Sequence, residues 1–340
     1  MPDQLQLRGG TTSEHSSFTG AAREVTVDTT KKTLVVHDGS QAGGTPLMRE
    51  SGGGVNATIN SVNIGKGANS VAGNTVLGES ALDAAVTGGN NTAIGFESLT
   101  TNTSGSNNTS VGRRSLQDNT TGSHNTGLGD FSLGNNTTGA DNVAVGSGAL
   151  DANTAADENT AIGRSALGAN SSGASNVAVG KHALLSSTTA SFNTAVGTQA
   201  GDALTTGNQN TVVGWNSLSS ATTAAFNVGI GYRSLLNLTD SQYNTALGYE
   251  TVRSTTTGDQ NVGIGAFALY ENTTANNNVA VGYESLRQNT TGTRLVAMGR
   301  RSLKQNTTAN DNTAIGYHAL ELNTTGHSNV AVGANALDAN

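Results

Sequence analysis

The chain has 340 residues, of which 12% are charged and 4% aromatic, with 45 glycines, a net charge of −7 and no cysteine. These values exclude a large aromatic core, a disulfide scaffold, a Cys-ligated zinc site and a thiol nucleophile. The acidic balance disfavours a nucleic-acid partner, and no apolar run approaches the roughly 18 residues of a membrane span. We therefore expect no nucleic-acid partner and no membrane insertion.

Residues 1–50 are predicted to form a small β domain. They hold 11 charged residues, against 30 in the remaining 290. Residues 21–28 and 33–39 contain alternating apolar residues and predict a β-hairpin, with residues 29–32 as its turn. Fifty residues bury only a small core, so this domain is expected to need oligomerisation.

A 17-residue repeat follows a Gly-rich linker with irregular first turns, predicted at residues 51–73. Residues 74–340 hold sixteen repeats without an insertion or deletion. Position 1 is Asn in fifteen repeats (the exception is Leu295), position 5 is Gly in all sixteen, and position 9 is Leu in fourteen. Stacked turns need this fixed register, since one extra residue would turn every later side chain to the other face. We therefore predict an all-β chain whose N-terminal β domain precedes a parallel β-solenoid (a β-roll) with one repeat per turn.

Within each turn, positions 1–5 are predicted to form a strand, as in residues 91–95. The larger Thr, Val and Ile side chains at positions 2 and 4 are expected to point inward, with the small residue at position 3 on the other face. The position 9 leucines are also expected to point inward. The middle of the turn, such as residues 283–288, is either extended or one helical turn. Residues 119–122 represent a second strand or a corner.

The recurring Asn has two interpretations, both structural. Stacked amides form a ladder along the axis, or each Asn holds a tight corner by bonding its own backbone. The recurring Gly suits a corner that needs positive φ or a close backbone approach. The residues assigned to this structural ladder are Asn91, Asn108, Asn125, Asn142, Asn159, Asn176, Gly95, Gly112, Gly129 and Gly146.

A homotrimer around the rod axis is predicted. Each turn offers few inward apolar groups, so burial within one chain offsets little of the entropy lost on ordering 17 residues. Small residues at position 3, such as Ala93 and Gly127, are expected to face outward and to let a neighbouring subunit approach closely. The alternative is a monomer whose small outer face meets water.

The N-terminal residues carry a resemblance to a known family. Residues 6–12, 18–28, 35–39 and 43–47 closely resemble the N-terminal domain of the phage major tropism determinant. The resemblance implies a small trimeric β domain that attaches a receptor-binding protein to the virion, so residues 1–50 are expected to contact other tail or capsid proteins. The lectin-type C-terminal domain of that determinant has no counterpart here, so no receptor-contact residue is carried over.

The repeats are similar to the heads of trimeric autotransporter adhesins, which are left-handed parallel β-rolls. Residues 60–65 and 69–73 come closest to that motif, and residues 91–95 are a longer variant. The turn is longer here, and neither a signal peptide nor a membrane anchor is expected, which argues against a bacterial surface adhesin. A phage protein assembled in the host cytoplasm and freed by lysis needs neither. Both resemblances imply a trimeric virion fibre, located in the tail or a fibre.

Positions 6 and 7, the two corner positions, carry eight of the thirteen aromatic residues and several arginines. Stacked turns would align them along the rod, where exposed aromatics with interleaved arginines suit sugar rings and charged polysaccharide. The functional interpretation is a host-surface glycan stripe. The alternatives are an exposed corner that tolerates any residue, or aromatics covered by a neighbouring subunit. The candidate binding residues are Phe96, Arg113, Arg114, Trp215, Tyr232, Arg233, Tyr249, Tyr283, Arg300, Arg301 and Tyr317.

Signals of enzymatic chemistry are weak. Glu250 and Glu284 are the candidate carboxylate pair of a polysaccharide depolymerase, with scattered surface acids as the alternative. The histidines show no ligand spacing, and neither a calcium-binding Gly/Asp repeat nor a phosphate-binding loop is present. We therefore expect no catalytic residue, no metal and no cofactor.

The sequence thus predicts a non-enzymatic virion fibre that attaches a phage to the host surface through a polysaccharide or protein receptor. The alternative is a structural spacer, baseplate or capsid fibre without receptor contact. The remaining alternatives are a depolymerase and an ice-binding solenoid that presents threonine ladders such as Thr120, Thr137 and Thr154.

Overall fold

The computed structural model describes residues 8–11, 13–14, 25–29, 33–36, 45–46, 57–59 and 62–338. Helix in this part is limited to residues 13–14 and the 3₁₀ helix Ala68–Ser70, and none of it is long and apolar enough to cross a membrane. The strands are β1 (Arg8–Gly10), β2 (Val25–Asp28), β3 (Thr33–Val36), β4 (Thr45–Pro46), β5 (Ala57–Ile59), β6 (Val62–Gly65), β7 (Thr75–Gly78), β8 (Thr92–Ile94), β9 (Thr109–Val111), β10 (Thr126–Leu128), β11 (Val143–Val145), β12 (Thr160–Ile162), β13 (Val177–Val179), β14 (Thr194–Val196), β15 (Thr211–Val213), β16 (Val228–Ile230), β17 (Thr245–Leu247), β18 (Val262–Ile264), β19 (Val279–Val281), β20 (Val296–Met298), β21 (Thr313–Ile315) and β22 (Val330–Val332).

The N-terminal strands form a four-stranded sheet in the order β1-β2-β3-β4. Strands β2 and β3 pair antiparallel from Val25↔Val36 to Asp28↔Thr33, which confirms the predicted hairpin; residues 30–32 of its turn lie outside the described residues. The cross-strand pair Thr26 and Val35 is buried, whereas Leu34 remains exposed. The sheet therefore leaves part of its apolar surface uncovered by the described part of this chain.

An antiparallel hairpin precedes the solenoid. Strand β6 pairs antiparallel with both β5 and β7, in the segment where a linker and irregular turns were expected. The Ser51–Gly54 stretch of that expected linker lies outside the described residues. Because β6 pairs along the outer edge of β7 and β5 pairs along the far edge of β6, the first solenoid strand does not expose the unpaired backbone groups of an edge strand.

The sixteen strands β7 to β22 stack as one parallel sheet along the rod. Each residue pairs with the residue 17 positions later, as in Thr160↔Val177 and Ile162↔Val179. The predicted β-solenoid with one turn per 17-residue repeat is confirmed. At about 4.8 Å per strand, sixteen turns extend over roughly 77 Å.

The middle of each turn is neither a strand nor a helix. Positions 7, 9 and 17 adopt the left-handed conformation, as at Ser165 (φ 53°), Leu167 (φ 50°) and Ser175 (φ 57°). The hydrogen-bond ladder nevertheless continues, because Ser165 N–H donates to the preceding turn and Leu167 N–H donates to Ala183 of the next turn at 3.0 Å. Left-handed leucine is unfavourable by about 1–2 kcal/mol in isolation, so contacts with both neighbouring turns must hold it there.

The two faces of the solenoid strand are the reverse of those expected. Ala161 at position 3 is fully buried, whereas Ile162 at position 4 is 40% exposed. The prediction that the small residues face outward is therefore wrong. The reason is the narrowness of the turn: a Cβ on Gly127 at position 3 would lie 2.5 Å from Ser115 Oγ of the opposite wall. Fourteen of the sixteen turns accordingly have Ala, Ser or Gly at position 3, with Val76 and Val212 as the exceptions, and the larger apolar residues at positions 2 and 4 point outward.

Where one turn lacks the position 9 leucine, neighbouring side chains fill the space in the core. Thirteen of the fourteen leucines at position 9 fill the interior and are fully buried, as expected, whereas Leu337 is 48% exposed. One turn has Gly201 in place of this leucine, and the next turn has Val212 in place of the usual small residue at position 3. A Cβ on Gly201 would lie 3.0 Å from a Leu184 methyl of the preceding turn and 3.7 Å from a Val212 methyl of the next. Leu184 and the larger Val212 therefore occupy space that the missing leucine side chain would otherwise fill.

Candidate functional site

The recurring asparagines at position 1 close each turn and join it to the next. From Asn91 to Asn176, each Oδ1 accepts the backbone N–H of the following Asn at 2.9–3.0 Å. Each Nδ2 donates at 2.8–2.9 Å to the carbonyl at position 15 of its own turn, as in Asn91 to Gly105. The side chain therefore makes an inter-turn bond and a corner bond at once.

A second buried asparagine column lies at position 12, which sequence reasoning assigned only to a strand or corner. Asn119 Nδ2 donates to Asn102 Oδ1 at 2.9 Å, and Asn136 Nδ2 donates to Asn119 Oδ1 at 2.8 Å. These are amide–amide bonds that run along the axis. The column is interrupted in the central turns at Ser187, Leu204, Ala221, Leu238 and Thr255.

The recurring glycines form the bend between the strand and the corner positions. Gly95, Gly112, Gly129 and Gly146 have φ values of 129–138°. A Cβ on Gly95 would lie 2.4 Å from the carbonyl oxygen of Gly112 in the next turn. Both the backbone conformation and the approach of the neighbouring turn therefore exclude a side chain here.

The corner positions form two patches rather than one stripe. The N-terminal corner patch consists of Phe96, Arg113, Arg114 and Phe131. Both arginines lie over the Phe131 ring, at 5.0 and 5.4 Å from its centroid. Arg113 pairs with Asp130 and Arg114 pairs with Glu97, so the patch has no excess charge. The next four turns carry no aromatic residue at positions 6 and 7.

The aromatic stack occupies the corner of five consecutive turns and consists of Trp215, Tyr232, Tyr249, Phe267 and Tyr283. Ring centroids are 5.1 Å apart for Trp215–Tyr232 and 5.0 Å for Tyr232–Tyr249, with nearly parallel planes. Phe267 continues the column through edge contacts with Tyr249 and Tyr283. Because the first three rings cover one another's faces along the rod, mainly their rims are available to a ligand.

The basic cluster adjoins the aromatic stack and extends past it toward the C-terminus. It comprises predicted and unpredicted side chains from positions 6, 7 and 10. Arg233 lies over Trp215 and Tyr232, and Arg300 lies over Tyr283 and Tyr317. The members of the basic cluster are Arg233, Arg253, Arg287, Arg300, Arg301 and Lys304.

Sequence reasoning missed the contribution of position 10 to this site. Arg253 donates to the Tyr270 hydroxyl at 2.6 Å, and Arg287 lies over the rings of Phe267 and Tyr270. The signal was the same 17-residue spacing, one position after the buried leucine. A second aromatic column, at position 17, was also missed. Its Phe226 and Tyr243 rings stack at a centroid distance of 5.0 Å, just before the strand, whereas the corner positions follow the strand.

Glu250 and Glu284 serve as ion-pair partners within the basic cluster. Both are buried, at 8% and 6% exposure. Glu250 lies 3.7 Å from Arg233 and 3.6 Å from Arg253, and Glu284 contacts Arg287, Arg301 and Lys304 at 2.9–3.1 Å. Burial raises the pKa of Glu284, but hydrogen bonds from Lys304 and Arg301 outweigh it and lower the pKa. A general acid of glycoside hydrolysis needs the opposite shift.

The lowered pKa of Glu284 predicts an acid-sensitive contribution to stability. Its ionised form is stabilised in the fold, so the contribution is complete above the ordinary pKa of 4.5 and is lost as pH falls through the lower folded value. We expect Glu284→Gln to lower the free energy of unfolding by about 1–3 kcal/mol at pH 7 and by less at pH 3. Denaturant unfolding at both pH values measures this difference. Glu271→Gln is the control, since Glu271 makes no ion pair with a described residue; an equal, pH-independent loss in both variants contradicts the assignment.

The threonine ladder at position 13 uses its hydroxyls internally. Thr120 and Thr137 each donate from Oγ1 to the carbonyl of the next turn at 2.9 Å, and Thr154 does so at 3.3 Å. These hydroxyl protons are therefore not directed to an external lattice. Among the described residues, no group of three or more His, Asp or Glu side chains is placed to hold a metal ion.

The N-terminal part of the chain, which contains the four-stranded sheet, is similar to known proteins. Residues 5–41 match the family model of the major tropism determinant N-terminal domain. A curated protein of Bordetella phage BPP-1, described as a tail fiber receptor-binding protein, is 65% identical over 49 residues. The match covers 14% of this chain and 13% of that protein, so the likeness is confined to a short segment of both.

Proposed function

We propose that this chain is a phage virion fibre protein that attaches the particle to the host cell surface. The observation that carries the proposal is the N-terminal match to a tail fiber receptor-binding protein, followed in the same chain by a rod of sixteen stacked turns. Residues 1–50 would attach to other tail or capsid proteins, residues 51–73 would join the two parts, and residues 74–340 would form the shaft. Its place would be the virion tail, after assembly in the host cytoplasm.

The fibre is proposed to act by binding rather than by catalysis. The two candidate carboxylates are neutralised by neighbouring cations, and the corner positions instead present aromatic rims and arginines to solvent. Host polysaccharide, or a protein receptor, would contact the eleven candidate residues. The stacking of Trp215, Tyr232 and Tyr249 on one another also favours a second candidate, a structural spacer whose rings only brace adjacent turns.

Competition for adsorption separates these two candidates. We expect purified protein to block phage adsorption to host cells, and the combined change of Trp215, Tyr232 and Tyr249 to Ala to reduce this block about tenfold or more, since each buried aromatic contact contributes strongly to binding. The variant must retain the oligomeric mass and circular dichroism of the wild type. Undiminished competition by the folded variant would overturn contact through these three rings, and absence of competition by the wild-type protein would leave the spacer as the function.

We also propose that the shaft is a homotrimer that assembles through the outer face of its sheet. Positions 2 and 4 present a continuous column of Thr, Val, Ile and Leu, including Leu128 at 46% and Leu247 at 44% exposure. An exposed apolar surface along the entire rod is unusual for a soluble monomer. The N-terminal sheet adds the exposed Leu34. Covering these surfaces with two further copies would supply the burial that one narrow turn lacks.

Charge introduced on this face is expected to prevent assembly. Changing Ile162, Val179 and Val196 together to Lys should reduce the mass measured by light scattering from trimer to monomer, because like charges would be desolvated at the axis. The control changes Ser172, Thr189 and Thr206 to Lys; these residues lie in the same three turns and are exposed at position 14. Equal masses for both triple variants would contradict the proposed interface.

A further inference from the structure

The basic cluster is undercompensated within the described part of the chain. Its six cations face three carboxylates: Glu250 pairs with two of them, Glu284 with three, and Glu321 lies 4.0 Å from Arg301 and also contacts His318. Six positive and three negative charges leave an excess of three, on one side of a chain whose net charge is −7. The N-terminal corner patch, in contrast, pairs each arginine with one acid.

Arg300 is the cation of the basic cluster that is most available to a ligand. It is exposed, and no carboxylate of the described residues lies within ion-pair distance of it. The rings of Tyr283 and Tyr317 lie 5.9 and 5.5 Å from its guanidinium carbon, and its Nη1 donates to the Tyr317 hydroxyl at 2.9 Å. Its Nε and Nη2 have no partner in the described part of the chain. The two rings therefore hold a guanidinium whose remaining donors face solvent.

The other cations of the basic cluster add positive charge beside Arg300. Arg233 and Arg253 share the single carboxylate of Glu250, and Arg287 shares that of Glu284 with Arg301 and Lys304. Their charges recur along one side of the rod at multiples of the roughly 4.8 Å rise per turn. A linear polymer with regularly spaced negative groups, running parallel to the rod, fits this arrangement better than a compact ligand does.

We propose that the basic cluster, from Arg233 to Lys304, binds an anionic polysaccharide through its carboxylate or sulfate groups. This inference rests on the proposed function and specifies the ligand class of the host-surface contact. Arginine matches the planar geometry of a carboxylate, and the rims of Tyr249, Tyr283 and Tyr317 add hydroxyls and apolar surface for the sugar rings. The anionic groups are assigned to the C-terminal half of the rod, since the N-terminal corner patch is neutralised; of the eleven candidate residues, Phe96, Arg113 and Arg114 therefore do not bind them.

The test measures binding of the full chain to polygalacturonate (carboxylated), dextran sulfate (sulfated), neutral dextran and duplex DNA by affinity electrophoresis. We expect retardation by at least one anionic polymer, weakening as salt is added, and none by neutral dextran. Retardation by one anion alone identifies the group that is recognised. Arg300→Gln is expected to raise the Kd about fivefold.

Arg164→Gln is the matched control. Arg300 lies 3.4 Å from His318 at position 7 of the next turn. Arg164 is likewise exposed at position 6 and lies 3.2 Å from His182 at position 7 of the next turn, but no Phe, Tyr or Trp ring flanks it. Its substitution is expected to change the Kd by less than about twofold. Equal losses in both variants, absence of binding to both anionic polymers, or tighter binding to duplex DNA than to either glycan overturns the proposal.

The same assay separates this inference from the proposed function, because it uses neither virions nor cells. Glycan binding by a protein that fails to block phage adsorption would overturn the attachment function and leave the ligand class intact. Blocking of adsorption without binding to either anionic polymer would overturn the ligand class and leave the attachment function intact.

Discussion

Gly163→Ala is expected to destabilise the solenoid by about 3 kcal/mol or more, one of the largest effects of any single methyl group in this chain. Gly163 has φ +133°, which L-residues rarely adopt, and the new Cβ would lie 2.6 Å from the backbone carbon and oxygen of Gly180. The neighbouring turn cannot move away without breaking the ladder on both sides of it. Overpacking and backbone strain therefore add. Thermal and denaturant unfolding of the purified protein measure the loss.

Gly148→Ser provides the control for this prediction. Gly148 also has a positive φ, of 65°, but the nearest atom to its added Cβ is Ser165 Oγ at 3.6 Å. The same position of the next turn is occupied by Ser165 at φ 53°. We expect a change below about 1 kcal/mol. Similar losses at both sites would show that the close approach of successive glycines is not the controlling feature.

Asn159→Asp is expected to lower the free energy of unfolding by about 3–5 kcal/mol at pH 7. Asn159 is fully buried, and its Nδ2 donates to the carbonyls of Gly173 and Asp157 at 2.9 and 3.2 Å. A carboxylate of the same shape would place a negative charge against these two oxygens. Burial would raise the pKa of the new acid above its unfolded value, so the deficit relative to wild type should shrink as pH falls from 7 to 4.

Asn159→Leu is the informative comparison, since the chain itself has Leu295 at the equivalent position of another turn. There the backbone N–H of Leu295 still donates to Asn278 Oδ1 at 3.0 Å. The leucine loses hydrogen bonds but buries no charge, so we expect a smaller loss of about 1–3 kcal/mol that is independent of pH. A pH-independent loss in the Asp variant, equal to that of the Leu variant, would contradict the ion-burial argument.

The candidate site was predicted in part. The spacing of the repeat placed Tyr232 and Tyr249 in one column, and stacking at 5.0 Å follows from one turn lying over the next. The 17-residue pattern did not separate the neutral N-terminal corner patch from the undercompensated basic cluster. That difference depends on which side chains of positions 7 and 10 meet, as in the contact of Glu284 with Arg287. Such contacts join the position 7 column to the position 10 column, and the path of the backbone between these two positions sets the distance between the columns.

The sequence by itself determined the repeat length, the parallel register, the number of stacked strands and the inward leucine column, because equal turns with fixed Asn and Gly positions admit one stacking. Only the tertiary structure decided that Ala161 faces inward and Ile162 outward. The left-handed residues in the middle of each turn bring the opposite wall so close that fourteen of the sixteen turns have Ala, Ser or Gly at position 3. The alternation of side chains along a three-residue strand does not tell which of the two strand faces points inward. The width of the turn decides this, and the polarity pattern of the sequence does not encode that width.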